Sequence, residues 1–216
     1  MDDITDVSLV PLTESRFLTP MRMEYKQAGR SKMWDLMKSH SSVAVVIFNT
    51  DTDMFIFVRQ FRPACYVHNA ALIEGRLLSA GDKIDTEKVP GHYGLTLELC
   101  AGIIDKELSE VEIAREEVKE ECGYLVPVEN FRRIIKFPSS VGTGGSTQTL
   151  FSVEVTNKNK IGSGGGLVEE GEMIDVVEMT VDQVKDYLTK ETVNSPVGLL
   201  YALQWYLSNR LPNIKK

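Results

Sequence analysis

The sequence lacks the segments that would direct it to a membrane or a secretory route. No apolar run approaches the roughly 20 residues that a helix needs to cross a bilayer. The first ten residues, MDDITDVSLV, are acidic and contain no apolar core of the kind that a signal peptide requires. These absences predict a cytoplasmic protein without a membrane partner.

Cysteine is scarce, and cationic residues are fewer than anionic ones. Cys65, Cys100 and Cys122 are an odd number without metal-type spacing, so we expect reduced thiols rather than a disulfide framework or a zinc site. The net charge is −7 at pH 7, whereas nucleic acid backbones are bound through basic patches. We therefore expect no nucleic acid partner. A small phosphorylated substrate remains compatible with this charge if metal ions supply the positive charge.

Several common catalytic and nucleotide-binding motifs are also missing. There is no G-x-G-x-x-G and no P-loop. His40, His68 and His92 fall at the ends of segments or in a long loop, which gives poor support for Ser-His-Asp chemistry. At 216 residues and 43% hydrophobic, without internal repeats, the chain can bury one sizeable core.

Hydrophobic patterning predicts strands interrupted by a few helices. Residues 65–94 form a long insertion of low periodicity, with a short turn of helix expected near 70–78. The order of strands, helix, strands and two helices predicts an α+β fold in which a mixed sheet is clasped between helices. The predicted strands are a hairpin at 20–40, a second hairpin at 42–48 and 54–58, and single strands at 95–100, 131–137, 147–155 and 173–180.

Two helices are predicted near the end of the chain. The first covers residues 181–190. The second has Ser195 as its N-cap and Pro196 in its first turn, where the missing N–H of proline has no cost. Its predicted buried stripe consists of Leu199, Leu200, Leu203 and Leu207.

The most informative stretch is the helix that begins after Ser109. Ser109 and Glu112 have the spacing of a capping box, and Gly123 is placed to end the helix in a left-handed conformation. This helix must pack one face on the body of the domain. The predicted buried face consists of Val111, Ala114, Val118 and Cys122.

The same helix carries four carboxylates in its last two turns: Glu116, Glu117, Glu120 and Glu121. The negative end of the helix dipole disfavours them there, and so does their mutual repulsion. Glu121 lies close enough to the apolar face to be partly shielded from water. A bound divalent cation such as Mg²⁺ would explain the arrangement, because hard ions prefer carboxylate oxygens. The alternative is a solvated acidic helix.

Glycines on both flanks make this stretch resemble a known signature. The spacing from Gly102 onward is similar to the Nudix box, G-x5-E-x7-R-E-U-x-E-E-x-G-U, of hydrolases that cleave nucleoside diphosphates linked to another group. The E-U-x-E-E-x-G-U half is intact. Leu108 stands in place of the first glutamate and Glu116 in place of the arginine, with Arg115 one position early. These departures leave open what orients Glu117 in the absence of the usual arginine.

The resemblance extends over most of the chain to the ADP-ribose and UDP-sugar pyrophosphatase branch of the Nudix superfamily. It implies a Nudix-type α/β/α sandwich with a mixed sheet and an N-terminal β-hairpin extension. Residues 1–40 would form the extension and serve dimerisation, and residues 41–216 would form the hydrolase domain. The segments that carry this resemblance include Tyr25-Lys-Gln, Trp34-Asp-Leu-Met-Lys38, Val58-Arg-Gln-Phe-Arg-Pro63, Glu98-Leu-Cys-Ala-Gly102 and Gly166-Leu-Val-Glu-Glu-Gly-Glu172.

The resemblance also implies an activity: Mg²⁺-dependent hydrolysis of a nucleoside diphosphate sugar, UDP-glucose giving UMP and glucose 1-phosphate, with Mn²⁺ as an alternative cofactor. Glu170 matches the position of the general base, on a loop expected to be flexible because of its glycines. Arg62 and Glu98 would bind substrate. Tyr25 and Trp34, on a hairpin that crosses to the partner of a homodimer, would flank the base. The implied metal ligands are the carbonyl of Ala101 and the carboxylates of Glu117, Glu120, Glu121 and Glu172.

Three alternatives remain open at the level of sequence. ADP-ribose, giving AMP and ribose 5-phosphate, is an alternative substrate for the same chemistry. The missing glutamate and arginine of the box allow a non-catalytic nucleotide-sugar binder. An acidic protein-interaction module is the third alternative.

Overall fold

A seven-stranded mixed sheet forms the centre of the structure, a computed structural model that describes residues 2–167, 169 and 171–214. The strands are β1 (Thr19–Gln27), β2 (Arg30–Lys38), β3 (Ser42–Asn49), β4 (Met54–Phe61), β5 (Leu95–Glu98), β6 (Cys100–Ile103), β7 (Arg132–Pro138), β8 (Thr147–Val155) and β9 (Ile174–Thr180). The helices are α1 (Pro63–Glu74), α2 (Glu110–Cys122), α3 (Val181–Leu188), α4 (Val197–Asn209) and α5 (Leu211–Ile214).

The central strand β3 is buried on both of its faces. Its odd-numbered side chains from Val43 to Ile47 pack in one core with α2, and the even-numbered ones from Ala44 to Phe48 pack in a second core with α3 and α4. Each fully buried aliphatic or aromatic side chain contributes about 1.5–3 kcal/mol. Helices thus cover both faces of the mixed sheet, and the predicted α+β sandwich is confirmed.

The segment from β5 to β6 enters the sheet between β3 and β4, where these two strands diverge. β5 pairs with β4, with Glu98 opposite Val58, while β6 pairs with β3, with Ala101 opposite Ala44. The prediction of one strand over residues 95–100 is wrong in this respect, because the pairing changes partner at Leu99. Only β3 and β8 run parallel among the described strand pairs.

The insertion after β4 contains more helix than the sequence predicted. α1 starts at Pro63, whose fixed φ suits the first turn of a helix, and ends at Gly75 in the left-handed conformation. The helix near 70–78 is thus longer and earlier than expected. Its buried residues, Tyr66 and Ala70, lie in a small third core with Ile84 and Val89.

The N-terminal segment packs on this insertion rather than on the hairpin that follows it. The N–H of Leu9 donates to the carbonyl of Asp82 at 2.8 Å, and the N–H of Ile84 donates to the carbonyl of Val7 at 3.1 Å. Val7 also contacts the third core. Residues 2–10 and the insertion therefore form one structural unit.

The hairpin β1–β2 is a two-stranded sheet of its own, as predicted. It turns at Ala28 and Gly29, both with positive φ, which is the backbone twist that tight hairpins require. It contacts the loop before β8: the indole N–H of Trp34 donates to the carbonyl of Gly142 at 2.9 Å, and the N–H of Met37 donates to that of Thr143 at 2.7 Å.

The C-terminal helix α4 starts differently from the prediction. Pro196 is its N-cap, and Ser195 makes no cap hydrogen bond. The hydroxyl of Ser195 instead donates to the carbonyl of Leu97 at 2.6 Å and bonds the hydroxyl of Tyr187 at 2.6 Å. The fully buried stripe is Leu199, Ala202, Leu203 and Tyr206, while Leu200 and Leu207 are only partly buried. In the part of the chain that the structure describes, every helix is too short or too polar to span a bilayer.

The end of α4 is tied to β8 by a partly buried ion pair. Arg210 donates to both carboxylate oxygens of Glu154, at 2.7 and 2.9 Å, and the hydroxyl of Tyr206 donates at 3.0 Å. Burial alone would raise the pKa of Glu154, but the hydrogen bonds from Arg210 and Tyr206 outweigh it and hold this pKa below its usual value. The charged form of Glu154 therefore stabilises the fold.

We predict that Arg210→Met lowers the free energy of unfolding at pH 7 by about 1–3 kcal/mol, the usual contribution of a hydrogen-bonded charge. The folded-state pKa of Glu154 is depressed, so its contribution is complete above the ordinary glutamate pKa of about 4.3 and is lost as the pH falls through the folded value. Urea unfolding of wild type and variant should therefore give a difference that shrinks towards pH 3. Arg22→Met, which removes an ion pair with Asp35 in solvent, is the control and should change stability little at either pH.

Candidate active site

The acidic helix α2 has the ends that the sequence predicted. The hydroxyl of Ser109 accepts from the N–H of Glu112, whose carboxylate accepts from the N–H of Ser109 at 2.9 Å. Gly123, with φ of 75°, ends the helix, and its N–H donates to the carbonyl of Lys119. Ile113 joins the buried face, whereas Val111 is only partly buried. The rotation of the helix about its axis is thus set by its apolar side chains.

Glu117 lies directly against the backbone of β6. A Cβ on Gly102 would lie 1.9 Å from Oε1 of Glu117 and 2.1 Å from its carboxyl carbon. Real Cβ atoms do not come this close to another atom, so residue 102 must be glycine for the carboxylate to occupy this position. The sequence contained the signal for this contact, the first glycine of the box, but only the structure shows its function.

Glu121 is buried more deeply than the partial shielding that the sequence predicted, with 3% of its surface exposed. The N–H of Ala101 donates to its Oε2 at 2.9 Å. Burial raises the pKa of Glu121 to about 8, against the hydrogen bonds from Ala101 and Cys100, and the charges of Glu117 and Glu172 raise it further. This carboxyl is held in place by the edge of the sheet.

The other carboxylates converge on the same place. Burial raises the pKa of Glu117 to about 7, with further contributions from the charges of Glu120 and Glu172. In the described part of the chain, no lysine, arginine or histidine lies within 4.0 Å of the carboxylates of Glu117, Glu120, Glu121 or Glu172. The negative charge in this region is therefore not compensated by a cationic side chain in direct contact.

Glu172 reaches this cluster from the segment before β9. Its Oε2 accepts from the N–H of Leu167 at 2.9 Å, and its own N–H donates to the carbonyl of Leu167 at 3.2 Å. These two bonds join Glu172 to the end of the glycine-rich loop at Leu167. Glu170 itself lies outside the described residues.

The glycine-rich loop at 162–166 has a structural reason for its composition besides the mobility that the sequence suggested. The N–H groups of Gly165 and Gly166 donate to the carbonyls of Glu121 and Glu120, at 2.9 and 3.2 Å. A Cβ on Gly164, which has φ of 70°, would lie 2.2 Å from the Glu121 carbonyl oxygen. The loop thus bonds the last carbonyls of α2, which have no partner within the helix.

Arg62 and Glu98 form a paired unit beside the carboxylates. Arg62 donates to both carboxylate oxygens of Glu98 at 2.7 Å, and the hydroxyl of Thr96 also donates to Glu98. Burial would raise the pKa of Glu98, but Arg62 outweighs it and this pKa lies below its usual value. The charge of Glu121 acts on Arg62 as well. The sequence predicted both residues for the site but not their pairing.

Tyr25 and Trp34 do not join this group within one chain. Both lie on the same face of the β1–β2 hairpin, where Tyr25 is opposite Lys32 and Trp34 is opposite Met23. Among the described contacts, the indole of Trp34 bonds the loop at Gly142. The structure therefore unites the carboxylates with Arg62 and Glu98, and leaves the hairpin aromatics apart.

The donor atoms at the site suit a hard divalent cation. They are carboxylate oxygens, which Mg²⁺ and Mn²⁺ prefer. Burial, with the charges of neighbouring carboxylates, raises the pKa values of Glu117 and Glu121. No group of three or more such side chains among the described residues is already arranged as a closed metal site. The residues present fit the ion in their chemistry, and the ion would have to draw the carboxylates together.

Several known proteins are similar to this chain over most of its length. No protein-family model matches the chain. Over 219 residues, and 99% of both chains, it is 36% identical to the uridine diphosphate glucose pyrophosphatase NUDT14 of Bos taurus and also to that of Mus musculus. It is 26% identical over 160 residues to the GDP-mannose pyrophosphatase of Enterobacter sp. (strain 638), covering 74% of this chain and 70% of that protein.

These similarities and the acidic helix packed on a glycine of a mixed sheet together show the class of the protein. It is a hydrolase that acts on phosphoric anhydrides. The chain belongs to the Nudix family, in its branch of nucleoside diphosphate sugar pyrophosphatases.

We predict that Gly102→Ala abolishes most of the hydrolysis of nucleoside diphosphate sugars while the protein stays folded. The added methyl group would push the Glu117 carboxylate out of its place, and a displacement of about 1 Å in a catalytic site can cost about 10²-fold in rate. Gly142→Ala is the matched control, because a Cβ there meets no atom within 4 Å. Steady-state rates and circular dichroism of both variants test this, and a Gly102→Ala enzyme with near-native rates would contradict the assignment.

Proposed function

We propose that this enzyme hydrolyses UDP-glucose, with water, to UMP and glucose 1-phosphate in a reaction that depends on Mg²⁺. The observation that supports this best is the similarity, over 99% of both chains, to proteins named for UDP-glucose pyrophosphatase activity. Similarity to the GDP-mannose pyrophosphatases is lower and covers less of the chain. ADP-ribose remains the alternative substrate for the same chemistry.

The residues that would hold the cation are Glu117, Glu121 and Glu172, with the carbonyl of Ala101 and with support from Glu120. Their oxygen donors and their uncompensated charge support this proposal. When bound, Mg²⁺ or Mn²⁺ supplies positive charge to a diphosphate and lowers the pKa of water. The chain contributes the placement of the ligands, through Gly102 and the N–H of Ala101.

Arg62 is the proposed partner of the substrate diphosphate. Its side chain is 46% exposed beside the carboxylates, so it can contact a ligand while Glu98, which is buried, fixes its orientation. A guanidinium held in this way is suited to bidentate binding of phosphate oxygens. Glu98 would therefore act on the substrate through Arg62.

Glu170 is the proposed general base. It would take a proton from the attacking water while the glycine-containing loop covers the substrate and excludes bulk solvent. Glu172, two residues later in the sequence, lies at the carboxylate cluster, which supports a base from this segment.

A substrate panel tests the proposed reaction. UDP-glucose, UDP-galactose, ADP-ribose and ADP-glucose, each at the same concentration with Mg²⁺, should all be assayed for phosphate monoester products. We expect UDP-glucose to give the highest kcat/KM. Glu121→Gln should lose several orders of magnitude in turnover. Its melting temperature in EDTA should not fall, because the amide oxygen can still accept from the N–H of Ala101.

Two further variants serve as controls for this panel. Glu170→Gln should lose about 10²–10⁴-fold in kcat with little change in KM, the usual contribution of a general base, and Glu169→Gln should stay close to wild type. Turnover of none of the substrates, with tight binding of a nucleotide sugar, would instead identify a non-catalytic binder. A large loss at Glu169 with none at Glu170 would make the assignment of the base wrong.

The proposal includes a homodimer built through the hairpin. One face of β1–β2 carries apolar side chains of which Met21, Met23 and Trp34 are exposed, which is unusual unless a partner covers them. An open groove of 780 Å³ adjoins it. The apolar face consists of Met21, Met23, Tyr25, Trp34 and Leu36.

We predict that Met23→Glu converts the protein to a monomer and reduces turnover. A carboxylate at the centre of this face would be desolvated in the dimer, at a cost that association cannot offset. Met33→Glu is the matched control, because Met33 is similarly exposed but lies on the opposite face, across from Glu24. Sedimentation velocity measures the outcome, and a fully active Met23→Glu dimer would rule out this interface.

Compartment and other partners complete the proposal. The described cysteines are all free thiols, which supports a reducing compartment such as the cytoplasm. The net charge of −7 supports a small phosphorylated substrate in preference to nucleic acid. We propose no membrane partner.

A further inference from the structure

The departures of this chain from the Nudix box leave one question open, namely which cation lies beside the carboxylates of α2. Glu116 stands where the Nudix box has arginine, and Leu108 stands where the box has its first glutamate. Three carboxylates of one helix face (Glu116, Glu117 and Glu120) then lack a cation from the helix itself. Arg115 does not supply it, because its charge acts on Glu112, one turn earlier.

A lysine from the loop before the helix comes to this position. The ammonium of Lys106 lies 3.3 Å from Oε2 of Glu116, with the two side chains 50% and 31% exposed. Among residues 2–167, 169 and 171–214, it is the one cationic group within 4.0 Å of any carboxylate in the last two turns of α2. The loop that carries Lys106 follows directly on β6, which contains Gly102.

The surroundings of Lys106 extend beyond its ion pair. The hydrogen bond with Glu116 raises the pKa of Lys106, and the charges of Glu120 and Glu117 add to this. The lysine therefore acts electrostatically on the carboxylate that fits over Gly102.

We propose that Lys106 is a positioning residue for Glu117. Its ion pair with Glu116 fastens the 104–109 loop to α2 and keeps Glu117 seated against Gly102. The inference rests on the proposed function, since it assigns a role in the same cation site. Exposed ion pairs contribute little to folding stability. We therefore expect loss of this pair to change the position of the carboxylates and not the stability of the fold.

A charge-reversal cycle tests this inference: Lys106→Glu, Glu116→Lys and the double variant that exchanges the two charges. Groups that orient metal ligands typically contribute about 10–100-fold to metal affinity or activity. We expect Lys106→Glu to weaken Mn²⁺ binding without substrate by at least about tenfold, measured by electron paramagnetic resonance, and to lower kcat to a similar extent. The double variant should regain most of both losses, and Lys106→Arg should keep both.

The controls separate positioning from other effects. Lys88→Glu makes the same change of charge on the insertion, where Lys88 pairs with Asp85, and should leave Mn²⁺ binding unchanged. Unchanged Mn²⁺ binding in Lys106→Glu would overturn the inference. So would a double variant no better than Lys106→Glu, because a lysine that contacts substrate directly cannot be rescued from position 116. If the wild type hydrolyses no nucleotide sugar, the proposed function is wrong. Mn²⁺ binding by the Lys106 variants still tests whether Lys106 positions Glu117.

Discussion

The active site depends on the seating of two carboxylates of α2 against the edge of a buried strand. Glu117 fills the space over Gly102, and Glu121 accepts from the N–H of Ala101 with almost no exposure to water. Burying like charges is unfavourable unless they are neutralised or paired. The apolar residues of α2 hold the helix in this rotation nevertheless, since Ala114 and Val118 are fully buried in the core beneath it. Such a conflict between packing and electrostatics is characteristic of a functional site.

The break in pairing at Leu99 brings the two halves of the site together. Before the break, β5 places Glu98 beside β4 and Arg62; after it, β6 places Gly102 beside β3 and under α2. One short segment thus connects the arginine unit with the carboxylates. Arg62 consequently lies within the electrostatic influence of Glu121, although the two side chains come from different elements.

Local signals in the sequence predicted the elements that short-range interactions determine. They did not predict the features that contacts between distant residues determine. The ends of α2 and the strand at 147–155 were predicted correctly, because caps and alternation act over a few residues. Ser195 had the residue type of a cap, but tertiary bonds to Leu97 and Tyr187 engage it. The box spacing predicted the carboxylate cluster, whereas the pairing of Lys106 with Glu116 follows no local rule and required the structure.

The attachment of residues 2–10 to the insertion bears on the order in which the chain folds. Residues 2–10 leave the ribosome before their partners at Asp82 and Ile84, with the whole hairpin and two core strands between them. Contacts between such distant residues form late, because a long loop has to close first. During synthesis the N-terminal segment therefore remains unpaired until the insertion has emerged, and in that interval it is open to chaperones and proteases.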